Sequence, residues 1–335
     1  MSKAPFVSII VPTKNCENTI EDLLNSIFEQ TYRRFEVLVI DSSEDATAEI
    51  VKKYRKVRLY KLPALEKIRR ANAARNVGIK KAKGEILAFT DGDCIVDKNW
   101  LKELINGFKT KDIACVGGSV FEATNNFFAK YCEIALLHPT PNLKREMIIN
   151  SSQFYKPYLP LSSNLAIRKE IFKKIGFFNE GIQAYEEIEF LWRVLTKGYK
   201  IFYTPKAKVW HNHPRSLIKL AKRYFRDGKG CMEFSLQYPN SPLSLVRLTL
   251  FLGWLFYLSF LFLSLLFRNL EILFLIFFLP LSLLFLYYFY VCFKRKYALA
   301  ILYPFLDIML CGIVYPLGML IKLFSLTKRL HYEAK

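Results

Sequence analysis

Residues 248–267 and 272–293 contain no charged side chain, and residues 297–321 contain only Asp307. An apolar run of about 20 residues is long enough to cross roughly 30 Å of hydrocarbon, and a soluble core seldom needs one. Residues 241–335 are therefore expected to form a membrane region of about three helices, and whatever precedes them must work beside a bilayer. Pro304, Gly312, Pro316 and Gly318 allow the third run to be broken or re-entrant. Asp307 within it is a functional candidate by its position alone, with a broken helix that exposes it to water as the alternative. The basic loop Lys294-Arg295-Lys296 is expected on the cytoplasmic side.

The formal charge is +20, and residues 1–240 carry 40 Lys and Arg against 26 Asp and Glu. Such basicity suits nucleic acid, anionic lipid or a phosphorylated substrate, or simply a lysine-rich solvated surface. Attachment to a membrane favours lipid and substrate, so no nucleic-acid partner is expected. The seven cysteines are scattered, odd in number and without a CxxC pair. That argues against a disulfide framework and a structural zinc site, and points to a reducing compartment. The N-terminus leads straight into a strand with no secretory signal. The expectation is a multi-pass protein of the cell membrane with a cytoplasmic catalytic domain.

Before the apolar runs, strands and helices alternate. β-rich runs lie at residues 6–11, 35–40, 57–60, 86–90, 114–120, 162–167 and 200–203. Helical spacing or capping marks residues 17–30, 46–51, 67–82, 169–175 and 185–197. This alternation predicts an α/β fold, a mostly parallel Rossmann-like sheet over residues 1–214, followed by an all-α transmembrane region. Residues 121–160 hold Pro139, Pro141, Pro157 and Pro160 and read as loop. Residues 215–240 read as an amphipathic helix and linker. Leu217, Leu220, Ala221, Tyr224 and Phe225 share one face of it, and Lys219, Lys222, Arg223 and Arg226 crowd the rest. The pattern suits a helix lying in the bilayer interface, or an ordinary surface helix.

In such sheets ligands bind outside the carboxyl ends of the strands. Three polar clusters fall there: Pro12-Thr13-Lys14-Asn15, Asp41-Ser42-Ser43 and Asp91-Gly92-Asp93. Asp91 and Asp93 offer hard oxygen ligands that suit Mg²⁺ or Mn²⁺, with a diphosphate to complete the shell. Asp-Gly alone is also a common turn. His211 and His213, after the strand near 203, are further candidates for the metal or the diphosphate, with a structural role as the alternative.

Taken together, Val7 to Asn15, Val39 to Asp45, Ala74-Arg75-Asn76-Val77-Gly78, Ala82 to Glu85 and Phe89 to Asp93 resemble the family-2 glycosyltransferases with the GT-A fold. Ser163 to Arg168, Phe177 to Glu180, Glu186 to Glu189 and Val209-Trp210-His211 extend the resemblance over roughly residues 5–215. It implies a nucleotide-sugar site lined by Pro12, Lys14, Asp41, Arg75, Asp91 and Gly92, with Asp91 and Asp93 on a divalent metal. It implies an acceptor side at Asn164, and Arg223 could meet a lipid phosphate. The catalytic base would be Glu187 or Glu186, because a Glu-Glu pair stands where the family usually has Glu-Asp. Cys16 and Ile40 also depart from residues common in the family, while Asp41 is kept.

The implied reaction is inverting transfer of a sugar from a nucleotide-sugar donor to a lipid-linked or membrane-proximal glycan, or to polyprenyl phosphate itself. A processive synthase fits less well, since no Q-x-x-R-W motif is present. A sugar nucleotidyltransferase would be expected to carry a glycine-rich loop after the first strand, where Pro12-Thr13-Lys14-Asn15 stands.

Overall fold

The computed structural model describes residues 4–62, 71–124, 126–135, 143–155, 159–182, 184–212, 215–267 and 270–333. The chain divides into two compact units, Met1–Thr124 with Pro139–His213, and Asn125–His138 with Pro214–Lys335.

The first unit is a nine-stranded mixed sheet with helices on it. Its elements run β1 (Val7–Thr13), α1 (Ile20–Phe28), β2 (Phe35–Asp41), α2 (Thr47–Lys52), β3 (Val57–Lys61), α3 (Ala71–Lys81) and β4 (Ile86–Phe89). Then come β5 (Cys94–Val96), α4 (Trp100–Asn106) and β6 (Ile113–Glu122). After α5 (Phe127–Ile134), which belongs to the second unit, follow β7 (Met147–Ile149), β8 (Leu165–Arg168), α6 (Lys169–Ile175), α7 (Glu186–Thr196) and β9 (Lys200–His211). The order is β3-β2-β1-β4-β8-β6-β9-β5, with β7 also on β9. The first four strands are parallel, β8 is antiparallel to both neighbours, and β6 and β9 are parallel. The expected Rossmann-like half is therefore present, extended by a mixed half.

The run at residues 6–11 continues as strand through Pro12, and β1 ends at Thr13. Ile10 accepts from Thr90 on the β4 side, while Thr13 accepts from Ser42 on the β2 side. Even-numbered residues of β1 thus face β4, which stops at Phe89 opposite Ile10. A proline at 12 forfeits no ladder bond there. Val7, Ile9 and Val11 join Leu23, Leu24, Trp100 and Leu104 in the core on one face of the sheet. Of the segment read as loop, residues 126–135 and 147–149 carry α5 and β7, while 136–142 lie outside the described residues.

The second unit holds α5, α8 (Leu217–Gln237), α9 (Pro242–Leu266), α10 (Leu270–Arg295), α11 (Tyr303–Met309) and α12 (Tyr315–Glu333). Ser241 caps α9 by accepting from Ser244 N at 3.0 Å, and Pro242 opens it, where its missing N–H costs nothing. Pro242–Leu266 and Ala298–Ser325 are long and apolar enough to cross a membrane. α10 covers the middle apolar run as one helix, with the side chains of 272–278 outside the described residues. In the third run, the prolines and glycines change the winding without ending the helix. A 3₁₀ stretch (298–302) leads into α11, and a π stretch (310–314) into α12. The wider π turn presents a carbonyl that Trp254 Nε1 reaches at Gly312 O, 2.7 Å away.

α8 runs from Leu217 to Gln237 as one helix, leaving only the last residues of the 215–240 segment as linker. Leu220 and Tyr224 are buried in protein, whereas Ile218 is 69% exposed. A Cβ on Gly228 would strike the Tyr315 carbonyl, and one on Gly318 the Phe225 carbonyl, so α8 and α12 cross at near backbone contact. The face of α8 carrying Leu220 and Tyr224 is thus turned to α12 and its neighbours.

Candidate active site

Because β1, β2 and β4 are parallel, their carboxyl ends share one rim. Register sets Thr13 beside Asp41, and Thr13 Oγ1 donates to Asp41 Oδ1 at 2.9 Å. The loops that follow are joined across the rim: Asn15 N bonds Ser43 Oγ at 2.8 Å, Cys16 N bonds Thr47 Oγ1 at 2.8 Å, and Glu17 N bonds Asp45 Oδ2 at 3.1 Å. Asp41 is 1% exposed, and its Oδ2 has no hydrogen-bond partner among the described residues. A buried carboxylate oxygen with no donor is costly, and a ligand N–H would satisfy it. Pro12 is buried beneath this rim and Lys14 stands exposed on it.

The Asp91-Gly92-Asp93 turn is held down by the β1–α1 loop. Thr19 Oγ1 donates to Gly92 O at 2.9 Å. A Cβ on Gly92 would come within 2.9 Å of both Cys16 Sγ and Thr13 Cγ2, so only glycine allows this approach. Arg75, on α3, donates to Asp91 Oδ1 from Nη2 at 2.8 Å. Burial works against the Arg75 charge, but Asp91 first and then Glu186 and Glu187 outweigh it and raise its pKa. Arg75 Nε is buried without a partner among the described residues.

Glu186 and Glu187 open α7, and two buried asparagines set where it starts. Asn72 Nδ2 donates to Asn179 O at 2.9 Å, and Asn76 bonds Phe178 in both directions, at 2.9 and 3.1 Å. Phe178 packs edge-on to Phe89 of β4 at 5.6 Å and against Phe190 of α7 at 4.7 Å. Tyr185, just before the pair, has φ +66°, a conformation that bulky side chains seldom take and that tends to persist at functional sites. Glu187 is half-buried, and loss of hydration pushes its pKa up to about 7. The neighbouring Glu186 adds to the rise and Arg75 opposes it.

Glu189 proves to be structural. It is 2% exposed, and Arg193 grips it through Nε and Nη2 at 2.8 and 2.9 Å while also donating to Ile175 O and Phe177 O. Glu189→Ala would leave Arg193 half-buried without its counterion. It is expected to cost about 3–5 kcal/mol of stability, read by thermal or denaturant unfolding.

On the other side of the turn, β5 pairs antiparallel with the end of β9, setting Cys94 opposite His211. His211 Nε2 lies 3.1 Å from Asp93 Oδ1. Ligand atoms of Asp93, Cys94 and His211 all fall within 4.8 Å of one another. Burial pushes the Cys94 thiol pKa well up, so the donors offered are the Asp93 carboxylate, a hard oxygen that suits Mg²⁺ or Mn²⁺, and the His211 imidazole, a softer nitrogen. Glu122 pairs in register with His211 from the β6 side, in a stretch whose sequence pattern had shown no element. His213 lies outside the described residues.

Asn164 ends the 3₁₀ turn Ser162–Asn164 that leads into β8. It is fully buried, accepts from Trp100 Nε1 at 2.9 Å, and donates to Ser119 O and Ala207 O at 2.8 and 3.0 Å. Its amide is thus occupied by the sheet and by Trp100. Arg223, in the second unit, lies 3.7 Å from Asp227 one turn along α8. Asn72 and Thr19 are site-building residues that the sequence pattern did not single out, while Thr13 and Asn76 stood in its motifs without a role of their own. A signal was present in Asn72, Arg75 and Asn76, which lie on one side of a helix poor in large apolar residues.

A parallel rim with an orphaned carboxylate, a buried arginine on an acidic turn and an acidic helix start describes a nucleotide-dependent transferase of the α/β class. Residues 8–176 match the sequence profile of glycosyl transferase family 2, and the chain belongs to that family. It is 29% identical over 237 residues to glycosyltransferase AglE of Haloferax volcanii, covering 68% of this chain and 74% of that one. It is 27% identical over 251 residues to a poly-beta-1,6-N-acetyl-D-glucosamine synthase of Staphylococcus epidermidis, covering 73% of this chain but only 59% of the synthase. The fold is similar to that of the mannosyltransferase PcManGT from Pyrobaculum calidifontis, solved with GDP-Man and Mn²⁺. That match has a TM-score of 0.57 at 20% identity and covers 75% of this chain and 71% of the other.

Proposed function

We propose that this glycosyltransferase moves a sugar, with inversion, from a nucleotide-sugar donor to a lipid-linked or membrane-proximal glycan acceptor, or to polyprenyl phosphate. The observation that carries the reading is the convergence of Asp91, Arg75 and the Glu186-Glu187 start of α7 at the strand ends. Asp41, with its unpartnered oxygen, would take an N–H of the base. Lys14 and Arg75 would face the phosphates. Glu187, raised toward neutrality, would remove the proton of a hydroxyl acceptor. Asp93, His211 and Asp91 would hold Mg²⁺ or Mn²⁺. When bound, the cation supplies charge neutralisation on the departing nucleoside diphosphate. GDP-Man and Mn²⁺ in the PcManGT structure support a donor and a cation of these classes.

The apolar helices Pro242–Leu266 and Ala298–Ser325 support membrane attachment. Leu250, Leu252 and Phe256 on the first are 61–72% exposed, as a lipid-facing surface would be. The basic Lys294-Arg295-Lys296 supports a cytoplasmic catalytic unit in a multi-pass arrangement. Lys219, Lys222 and Arg226 of α8 are exposed and would lie at anionic headgroups.

The test is incubation of membranes containing the protein with a panel of radiolabelled nucleotide sugars, followed by lipid extraction. Label in a short extractable lipid is expected for polyprenyl phosphate, and label in longer lipid-linked glycans for chain extension. Absence of transfer from every donor, with formation of nucleotide sugar from a sugar phosphate and a nucleoside triphosphate instead, would establish the nucleotidyltransferase alternative.

A further inference from the structure

We infer that, given the transfer reading above, Asn76 is a positioning residue: without touching a reacting atom, it sets where the Glu186-Glu187 base stands relative to the donor turn. Asn76 lies on α3 and is 3% exposed. Its Nδ2 donates to Phe178 O and to Glu180 Oε1, both at 2.9 Å, and its Oδ1 accepts from Phe178 N at 3.1 Å. The whole amide is thus taken up by one short segment, 102 to 104 residues away in sequence. One turn earlier on α3, Asn72 adds a bond to Asn179 O at 2.9 Å.

The gripped segment carries the base. Phe178 is buried, and its ring packs on Phe190 at 4.7 Å. Phe190 lies one turn of α7 beyond Glu186 and Glu187, so a shift of Phe178 shifts the pair. Arg193 fixes the same piece from the other end, donating from α7 to Ile175 O and Phe177 O at 2.7 Å each. Residues 175–178 and α7 therefore move together. Ring contacts alone would hold this piece close yet let it slide, because apolar attraction has no direction. The amide bonds supply direction, since a hydrogen bond weakens steeply when misaligned. Tyr185 has φ +66° immediately before the pair, and backbone of that shape keeps its place only where its surroundings fix it.

The donor side is referred to the same helix. Arg75, one residue before Asn76, donates to Asp91 Oδ1 at 2.8 Å, and α3 packs on β1 and β2. One helix thus sets both the acidic turn and the glutamates, and Asn76 serves the branch that ends at the glutamates. The donor branch, with Thr13 on Asp41 and Arg75 on Asp91, keeps its own bonds when Asn76 is changed.

The test uses the full-length protein in detergent, with the nucleotide sugar that labels lipid in the parent membranes and a titrated lipid extract as acceptor. Asn76→Ala is expected to lower kcat by about 10–100-fold, as a base displaced by up to about 1 Å would, with donor KM within about twofold. The decisive readout is the same change made in Glu187→Gln. A residue that acts through the base has little left to lose there, so kcat should fall by less than about twofold further. A change that merely weakened the fold would lose the same factor in both backgrounds. Asn72→Ala, which removes one bond to the segment, should lower kcat by a few-fold with the same dependence on Glu187, and it decides should Asn76→Ala fail to fold. Equal loss in both backgrounds, or a donor KM that rises as far as kcat falls, would overturn the inference. Should Glu186→Gln be the variant without turnover, it becomes the second background. A parent with no transfer, or with full kcat in both glutamine variants, would refute the transfer reading and its base instead. Hydrogen exchange then judges the linkage alone: amides of residues 189–192 should exchange faster in Asn76→Ala while those of β1, β2 and β4 stay protected, and unchanged exchange in α7 would overturn it.

Discussion

Glu187→Gln is expected to lower kcat by about 10²–10⁴-fold, the range for loss of a general base, while donor binding and the fold persist. Gln keeps the size and polarity of the side chain but cannot take a proton at neutral pH. In the parent, the base works only when deprotonated. With its pKa raised to about 7 by burial and by Glu186, kcat/KM for a hydroxyl acceptor should climb as pH rises through that value and level off above it. The residual activity of Glu187→Gln should lose this limb. Stability runs the opposite way. The folded state holds the Glu187 proton more tightly than the unfolded chain, so the group stabilises the fold below its ordinary carboxylate pKa, and that contribution fades as pH rises through about 7. At pH 8 the variant should therefore melt no lower than the parent, which separates lost chemistry from lost structure. If Glu186→Gln is the dead enzyme and Glu187→Gln retains the pH limb, the base is Glu186.

Asp93→Ala is expected to reduce kcat/KM by about 10²–10³-fold and to abolish Mn²⁺ binding by the protein, followed by the loss of free Mn²⁺ signal in electron paramagnetic resonance. The fold should survive. What anchors this residue is its carbonyl, which accepts from Asn212 N at 3.1 Å and Asn212 Nδ2 at 3.2 Å, and an alanine keeps both bonds. The side chain faces His211, so His211→Ala should weaken Mn²⁺ binding less severely than Asp93→Ala. Full turnover by Asp93→Ala, with Mn²⁺ dependence intact, would remove the cation from this corner of the site.

Much of the first unit was legible because its signals are local. Val7 to Val11, Phe35 to Ile40 and Ile86 to Phe89 are apolar runs that can only be buried strands, and polar residues at their ends mark the rim. Lys169–Ile175 was readable to the residue, stopped by Gly176. The segment from 121 to 160 was not legible. α5 is short, and what holds it is a carboxylate 176 residues away in sequence. The pattern of α8 also left an interfacial and an ordinary surface helix open, and which of its faces is buried depended on a helix crossing at Gly228 and Gly318.

The site divides in the same way. Asp41, Asp91, Asp93 and the Glu186-Glu187 pair stand out because chemistry demands carboxylates at strand ends. That Arg75 would be buried on Asp91, that Asn72 and Asn76 would carry α7 into place, and that Glu189 would serve Arg193 are long-range matters. The sequence by itself determined the alternating strands and helices, the acidic turn and the apolar C-terminal runs, since each follows from the preference of neighbouring residues for water, for hydrocarbon or for a given backbone shape. Only the tertiary structure decided that the Asn164 amide is taken up by Trp100 and two strand carbonyls, that His211 meets Asp93, and that Asp307 holds a helix. Those outcomes depend on which distant groups are buried together, and a buried polar group takes whatever partner the fold brings within 3 Å.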